Sequence, residues 1–307
     1  MTAPVPDAEP MSDPAPTRPR RSAGSRALTL VLFALAVLGA MAGAFVFFLH
    51  LNGDPLNDAQ AYYWAGGRLN DGLPLYPPDQ GPVTPLGYPY PPLLAILWRP
   101  LALLPWPVAA AIWEVVILAA FLATIWWLGP RRKETWFAIG ILGLPIAWCI
   151  AIGQAQVILT LFSAIGTPWS VALAANIKLF PALIALWWIG RREWRRFGQF
   201  VAVMAILGVI QLILAPQASI DYISAINLHQ VGSSSALRNI SPYAISPLLW
   251  AGCIVGGGLL VLALARTRFG WAAAATFAVL ANPRLLIYAL MALLAVVANP
   301  GRRHQDA

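Results

Sequence analysis

The sequence predicts an all-α fold: a polytopic integral membrane protein, a bundle of about nine or ten transmembrane or half-depth helices. Three observations predict it. Hydrophobic residues make up 59% of the 307-residue chain and charged residues only 10%, with a mean hydropathy of +0.69; a water-soluble domain could not bury so much apolar side chain. The apolar residues gather in long runs, not in the alternation of half-buried strands. The basic residues fall in clusters between those runs; placing every cluster on one side requires an even number of crossings between them, which the runs allow.

Taken in order, residues 1–26 are rich in Pro, Ala, Ser and Arg and lack apolar periodicity; they are expected to form a disordered basic cytoplasmic tail. The membrane domain is placed at 27–298. Its first run, 27–50, is 24 residues long, and a bilayer core needs about 20. A signal peptide, with Arg18, Arg20, Arg21 and Arg26 as its basic flank, is the rival reading; the run is too long for it, and more spans follow. Residues 51–106 form the first external loop. Tyr76-Pro77-Pro78 and Tyr88-Pro89-Tyr90-Pro91-Pro92 prevent a regular helix and favour the oil–water interface. A short surface helix is expected over 58–70 and a shallow apolar element over 93–104.

Further runs fill 107–128, 136–152, 154–165, 168–189, 198–216, 246–265, 270–281 and 285–298, with a second external loop at 217–245 and a polar cytoplasmic tail at 299–307. The runs 154–165, 168–178 and 270–281 reach only about 18 Å as helices. Half-depth helices are tolerated where protein or a water-filled cavity covers them, so their polar tips are expected to meet in one external cavity.

The net charge of +8 reports orientation. Fifteen of the 20 Lys and Arg residues fall in five clusters, from Arg18 to Arg26, at Arg131-Arg132-Lys133, from Arg191 to Arg196, at Arg266 with Arg268, and at Arg302-Arg303. The positive-inside rule puts all five, and the N-terminus, in the cytoplasm of a multi-pass cell-membrane protein. No nucleic-acid partner is implied. Cys149 and Cys253 lie inside apolar runs and read as buried thiols without disulfide or zinc.

In so apolar a chain each acid can be weighed singly. Asp7, Glu9, Asp13 and Asp306 are in tails, and Glu134 and Glu193 in basic clusters. Asp54 and Asp71 read as turn residues, Asp79 as solvated, Asp221 as a cap or loop residue. Glu114, inside a span, reads either as functional or as a hydrogen-bonded partner facing the bundle. Asp58 leads a helix carrying Tyr62, Tyr63 and Trp64; it reads as a helix cap or as a reactive carboxylate. Among external cations, Lys178 stands between two apolar halves, before Pro181, where a charge is costly without an anion or water; snorkelling is the alternative. Arg284, in Asn282-Pro283-Arg284, occupies a comparable break, and two such cations could hold a phosphate. His229 and Arg238 are weaker additions from the second external loop, and His50 reads as an interfacial end to the first span. Gly153-Gln154-Ala155-Gln156 forms another polar apex whose amides suit sugar hydroxyls or simple capping.

Asp58 through Gly67, then Leu75-Tyr76, Tyr88-Pro89-Tyr90-Pro91-Pro92, Gly153-Gln154 and Lys178-Leu179-Phe180-Pro181 follow one another in an order that resembles glycosyltransferase family 87, a group first described as domain of unknown function 2029. The match covers roughly 58–181; Gln156 stands where the family commonly has Asn. The resemblance implies a GT-C-like membrane bundle and a mannosyltransferase using a polyprenyl-phosphate sugar donor. It places the catalytic Asp at Asp58 and the Lys-x-x-Pro of the donor-phosphate site at Lys178 and Pro181.

The expectation is therefore transfer of a hexose, mannose by resemblance, to a lipid or glycan acceptor at the outer face of the cytoplasmic membrane, with inversion. Asp58 would be the general base. A phosphate leaving group carries its own charge, so the carboxylate pair of glycoside hydrolases is not needed. Lys178, Arg284, Arg238 and His229 would bind the donor phosphate; Tyr62, Tyr63, Tyr88, Tyr90, Gln154 and Asn282 would contact substrate. The partners are the donor, the acceptor and membrane lipid. No cofactor is implied, and no residue pattern demands a metal. A lipid-linked-sugar flippase or transporter, or an inactive assembly subunit, are the alternative readings.

Overall fold

The computed structural model describes residues 23–77, 88–225 and 239–298. The protein is an all-α polytopic membrane protein, with no strand among the described residues. Its helices are α1 (Ala23–Gly53), α2 (Asn57–Asn70), α3 (Pro92–Trp98), α4 (Trp106–Leu128), α5 (Lys133–Ile141), α6 (Gly143–Ala151), α7 (Gln156–Ile165), α8 (Pro168–Ile177), α9 (Ala185–Arg191), α10 (Trp194–Leu214), α11 (Pro216–Ala225), α12 (Pro247–Leu264) and α13 (Gly270–Leu280). The longer 3-10 segments are Phe180–Ile184, which runs into α9, and Ile287–Val297 near the end.

Length sorts these helices into shell and interior. α1, α4, α10 and α12 are long and apolar enough to cross a membrane, and α5 with α6, bent by 67°, counts as a fifth span when the pair is taken together. The long helices turn most of their surface outward: α12 buries only Val261, and α10 only Phe200 and Gln211. The short α8 and α13 are mostly buried, through residues such as Val171, Ala174, Trp271 and Ala278. Long helices thus meet lipid, while short or broken ones are covered by protein, as unpaired backbone groups in a membrane require.

α1 meets the α5–α6 bend through glycine. A Cβ on Gly39 would come within 2.3 Å of the Gly140 carbonyl oxygen, and one on Gly43 within 2.5 Å of that of Gly143. Only glycine lets the two backbones touch, the usual device for helix association in lipid. This seam ties the middle of α1 to the bend between α5 and α6.

The sequence-derived elements recur with small boundary shifts. The surface helix is α2, and the shallow apolar element is α3 followed by the 3-10 turn Leu101–Leu103. The run 168–189 breaks after Ile177, before Pro181, and the last run is 3-10 rather than α. Three side chains are corrected. Cys253 is exposed on α12 while Cys149 is buried; α12 is apolar all round, so composition could not say which face turns outward. Glu114 stands exposed on α4, not facing the bundle. Asp221, expected in a cap or loop, lies inside α11 and accepts a hydrogen bond from Gln217 at 2.7 Å.

Candidate active site

The site begins where α6 hands over to α2. Leu56, at φ 56°, turns the chain into α2. The backbone N–H groups of Leu56, Asp58 and Ala59 then donate to Ala151 O (3.0 Å), Ile152 O (3.0 Å) and Ile152 O (3.3 Å). A helix start has unpaired N–H groups and a helix end unpaired carbonyls; here each satisfies the other. The capping role considered for Asp58 is thereby taken by backbone, and no side chain caps α2. Gly153 completes the joint at φ 68°, where a Cβ would fall 2.7 Å from that of Ala59. Its carbonyl accepts from the Trp113 indole at 2.7 Å.

The next residue, Gln154, is fully buried and reads its surroundings on both sides. The Tyr62 hydroxyl donates to Gln154 Oε1 at 2.5 Å and itself accepts from Ala155 N at 3.4 Å. With the amide oxygen committed to Tyr62, Nε2 is turned toward Asp58 and donates to its Oδ2. The Tyr90 hydroxyl lies 3.4 Å from the same Nε2. An aromatic wall backs this chain: the Tyr62 ring meets those of Tyr88, Tyr90, Trp98 and Trp113 at centroid distances of 6.5, 5.7, 6.0 and 6.0 Å.

Asp58 is partly buried at the edge of this wall. Burial pushes its carboxyl up to about 6, against a reference of 3.8; the charges of Lys178 and then Arg284 pull it back, Asp54 adds to the rise and His50 opposes it. Burial also holds the hydroxyls of Tyr62 and Tyr88 well above the ordinary phenol range, so both remain hydrogen-bond donors. The result is a carboxylate poised near neutrality beside two cations.

Lys178 forms the opposite side. It ends α8, its N–H donating to Ala174 O at 2.9 Å. Its ammonium donates to Gln156 Oε1 at 3.0 Å and lies 5.1 Å and 5.3 Å from the ring centres of Tyr90 and Tyr288, distances at which a cation is drawn to an aromatic face. Lys178, Gln156 and Asn282 line a cavity of about 40 Å³ whose remaining walls, Ser163 apart, are apolar, including Leu159, Ile184, Ala275, Ala278 and Ala292. The helix breaks at 178–180 and 281–286 therefore face one hollow. The second break is pinned by buried Asn239, which accepts from Leu285 N at 2.9 Å and donates to Pro283 O at 2.8 Å.

The structure thus brings Asp58, Tyr62, Tyr88, Tyr90, Gln154, Lys178 and Asn282 into one neighbourhood, with Arg284 near enough for its charge to act on Asp58. Tyr63 is not brought in: its hydroxyl donates to Leu104 O at 2.8 Å and its ring meets Trp106, because α2 presents it to the opposite side. His229 and Arg238 lie outside the described residues. Among the described residues no three His, Cys, Asp or Glu side chains converge as a metal site would require. Sequence reasoning missed Gln211, Asn176, Trp113 and Tyr288. An amide such as Gln211 within an apolar span is itself a signal, whereas a Trp or Tyr in such a run carries none.

Fold and site together define a polytopic membrane protein with a polar site enclosed by its interior helices. The chain belongs to glycosyltransferase family 87, whose family model matches residues 88–300. The match starts after Asp58 and takes in Tyr90, Gln154, Lys178 and Arg284. The chain is 33% identical over 217 residues to the polyprenol-phosphate-mannose-dependent alpha-(1-2)-phosphatidylinositol pentamannoside mannosyltransferase of Mycolicibacterium smegmatis, covering 64% of this chain and 52% of that one. It is 31% identical over 193 residues to the protein of the same description from Mycobacterium tuberculosis, covering 56% and 45%. A phosphatidylinositol mannoside mannosyltransferase of Mycobacterium tuberculosis is 29% identical over 199 residues, covering 54% and 47%. The chain spans about half the length of the curated relatives it matches. No solved structure matches it.

Proposed function

We propose that the protein transfers mannose from a polyprenyl-phosphate donor to a lipid-anchored glycan at the outer face of the cytoplasmic membrane. The observation that carries this reading is Asp58: a carboxylate raised to about 6 and within reach of the charges of Lys178 and Arg284, held by Gln154, whose amide the Tyr90 hydroxyl approaches while Lys178 lies 5.1 Å from the Tyr90 ring centre. The membership in family 87 and the donor named for the relatives support it.

In this reading the acceptor hydroxyl lies against Asp58, which removes its proton as the oxygen attacks the anomeric carbon. The bond between that carbon and the phosphate oxygen breaks, and the prenyl phosphate leaves with the electron pair, inverting the centre. Lys178 and Arg284 stabilise the charge growing on the phosphate. Asp58 returns its proton to water through its exposed edge. Gln154, oriented by Tyr62, holds one carboxylate oxygen so that the other faces the acceptor. The small cavity beside Lys178, lined by alanines of α13 and of the last 3-10 helix, supports placing the start of the prenyl chain on that side. The positive-inside reading of the five basic clusters supports a non-cytoplasmic position for the joint between α6 and α2.

The test is turnover by purified protein in lipid nanodiscs, with mannosyl, glucosyl and galactosyl prenyl phosphates and a panel of phosphatidylinositol mannosides, read by mass spectrometry. A mannosylated product from the mannosyl donor alone is expected. Absence of any new glycosidic bond across the panel overturns the reading, and donor movement across proteoliposomes without bond formation replaces it with a flippase.

A further inference from the structure

One polar residue inside the bundle has no place in the chemistry above. α10 turns outward almost everywhere and buries only Phe200 and Gln211. An amide at an inward position of a membrane helix is costly unless fully paired. Gln211 is fully paired, and its partners lie on two different walls of the site. Its Oε1 accepts from Leu93 N at 3.0 Å, and its Nε2 donates to Asn176 Oδ1 at 2.7 Å and to Leu207 O at 3.0 Å.

Each partner adjoins a site residue. Leu93 is at the start of α3, where Pro91 is the N-cap, Pro92 lacks an N–H and no side chain of the cap residue closes the helix. Two remote groups close it instead: Gln211 takes Leu93 N–H, and the Tyr88 hydroxyl takes Ala95 N–H at 2.9 Å. Tyr90 lies just before this prolyl start. Asn176 lies two residues before Lys178 and is tied to its own helix through Ala172 O at 2.9 Å and to Met204 Sδ at 3.0 Å. One amide therefore connects the segment carrying Tyr90 to the helix end carrying Lys178, whose ammonium and ring are 5.1 Å apart.

Resting on the donor-site reading above, we infer that Gln211 is a positioning residue. Through Leu93 and Asn176 it fixes the separation of Tyr90 and Lys178, and so the width of the lipid-phosphate site. It touches no substrate. Its removal lets α3 and the end of α8 drift apart, so the effect passes through Lys178 and falls on the lipid phosphate rather than on the acceptor.

Gln211→Met keeps the side-chain length and removes all three hydrogen bonds. Asn176→Leu keeps the shape of its residue and cuts the second half of the connection, together with the Asn176 bonds to Ala172 O and Met204 Sδ, leaving Gln211 bonded to Leu93 N and Leu207 O. The experiment measures binding of undecaprenyl phosphate to wild type, to both variants, to Lys178→Met, and to each variant combined with Lys178→Met, all in nanodiscs. Each single variant is expected to weaken binding about tenfold, and the further loss in the Lys178→Met background to shrink below twofold, as coupled residues require. In the transfer assay the donor KM should rise about as much while the acceptor KM stays within twofold. Wild-type binding by both variants, additive losses with Lys178→Met, or equal rises in both KM values overturns the inference. Intact binding and coupling without mannose transfer by wild type overturns only the transferase reading. Wild type that binds no undecaprenyl phosphate removes the donor site and this inference with it.

Discussion

The two sides of the site are built differently. On the Asp58 side directional hydrogen bonds set the geometry: backbone bonds join α6 to α2, and the line from Tyr62 through Gln154 reaches the carboxylate. On the Lys178 side the cation has one amide partner and two aromatic faces, and beyond it lies a cavity lined by small residues. Hydrogen bonds hold a group to a geometry, whereas cation–π contact tolerates displacement. A base must be pre-aligned to its proton; a cation that follows a departing phosphate on a long lipid needs latitude. In the proposed reaction the hydrogen-bonded Asp58 suits proton transfer, and the Lys178 ammonium, held by softer contacts on a helix end that Gln211 ties down through Asn176, suits binding and release.

That contrast can be broken most severely at Asp58. Asp58→Asn should cut transfer about 1,000-fold with expression, insertion and donor binding retained, read by turnover and undecaprenyl phosphate binding on the same sample. Turnover within tenfold of wild type would remove Asp58 from the chemistry. Lys178→Met should cost about 100-fold, shared between donor KM and kcat, and an unchanged donor KM would separate Lys178 from the phosphate.

The pH profile sharpens the comparison. In the proposed reaction Asp58 serves as base only when ionised, so kcat/KM should rise with pH through about 6; at pH 5 roughly one-tenth of the pH 7 rate should remain. Because Lys178 lowers the Asp58 value, the same limb should move to higher pH in Lys178→Met. The stability linkage runs the opposite way. A carboxyl raised by folding contributes no penalty below 3.8 and its full penalty above about 6, so Asp58→Asn should melt no lower than wild type at pH 7. A flat profile from pH 5 to 8 would contradict the assignment. The smallest effect belongs to the yielding side: Ala292→Leu, projecting into the cavity, should raise the donor KM about fivefold and leave short-chain prenyl donors less affected, a chain-length series being the measurement.

Much of the site could be read in the sequence because charge is so scarce in it. Asp58, Lys178 and the Asn282-Pro283-Arg284 break stood out as polar points in apolar runs, and Pro181 marked where the run 168–189 divides. Tyr63 shows the limit of that reading: it is adjacent to Tyr62 and chemically identical, yet the helical turn of α2 sends it to Leu104. Gln211 was visible as an amide in a span, but nothing local ties it to Leu93 or Asn176, which are 118 and 35 residues away.

The sequence alone determined that this chain lives in a membrane, where most helices start and stop, and which few residues could carry charge, because hydropathy, proline and charge are local properties. Only the tertiary structure decided which faces turn inward, that the N–H groups of α2 close on the carbonyls of α6 and relieve Asp58 of capping, and that one buried amide spans two walls of the site. Those are long-range pairings. A membrane interior that leaves no backbone or amide group unpaired selects them from many that the sequence alone would permit.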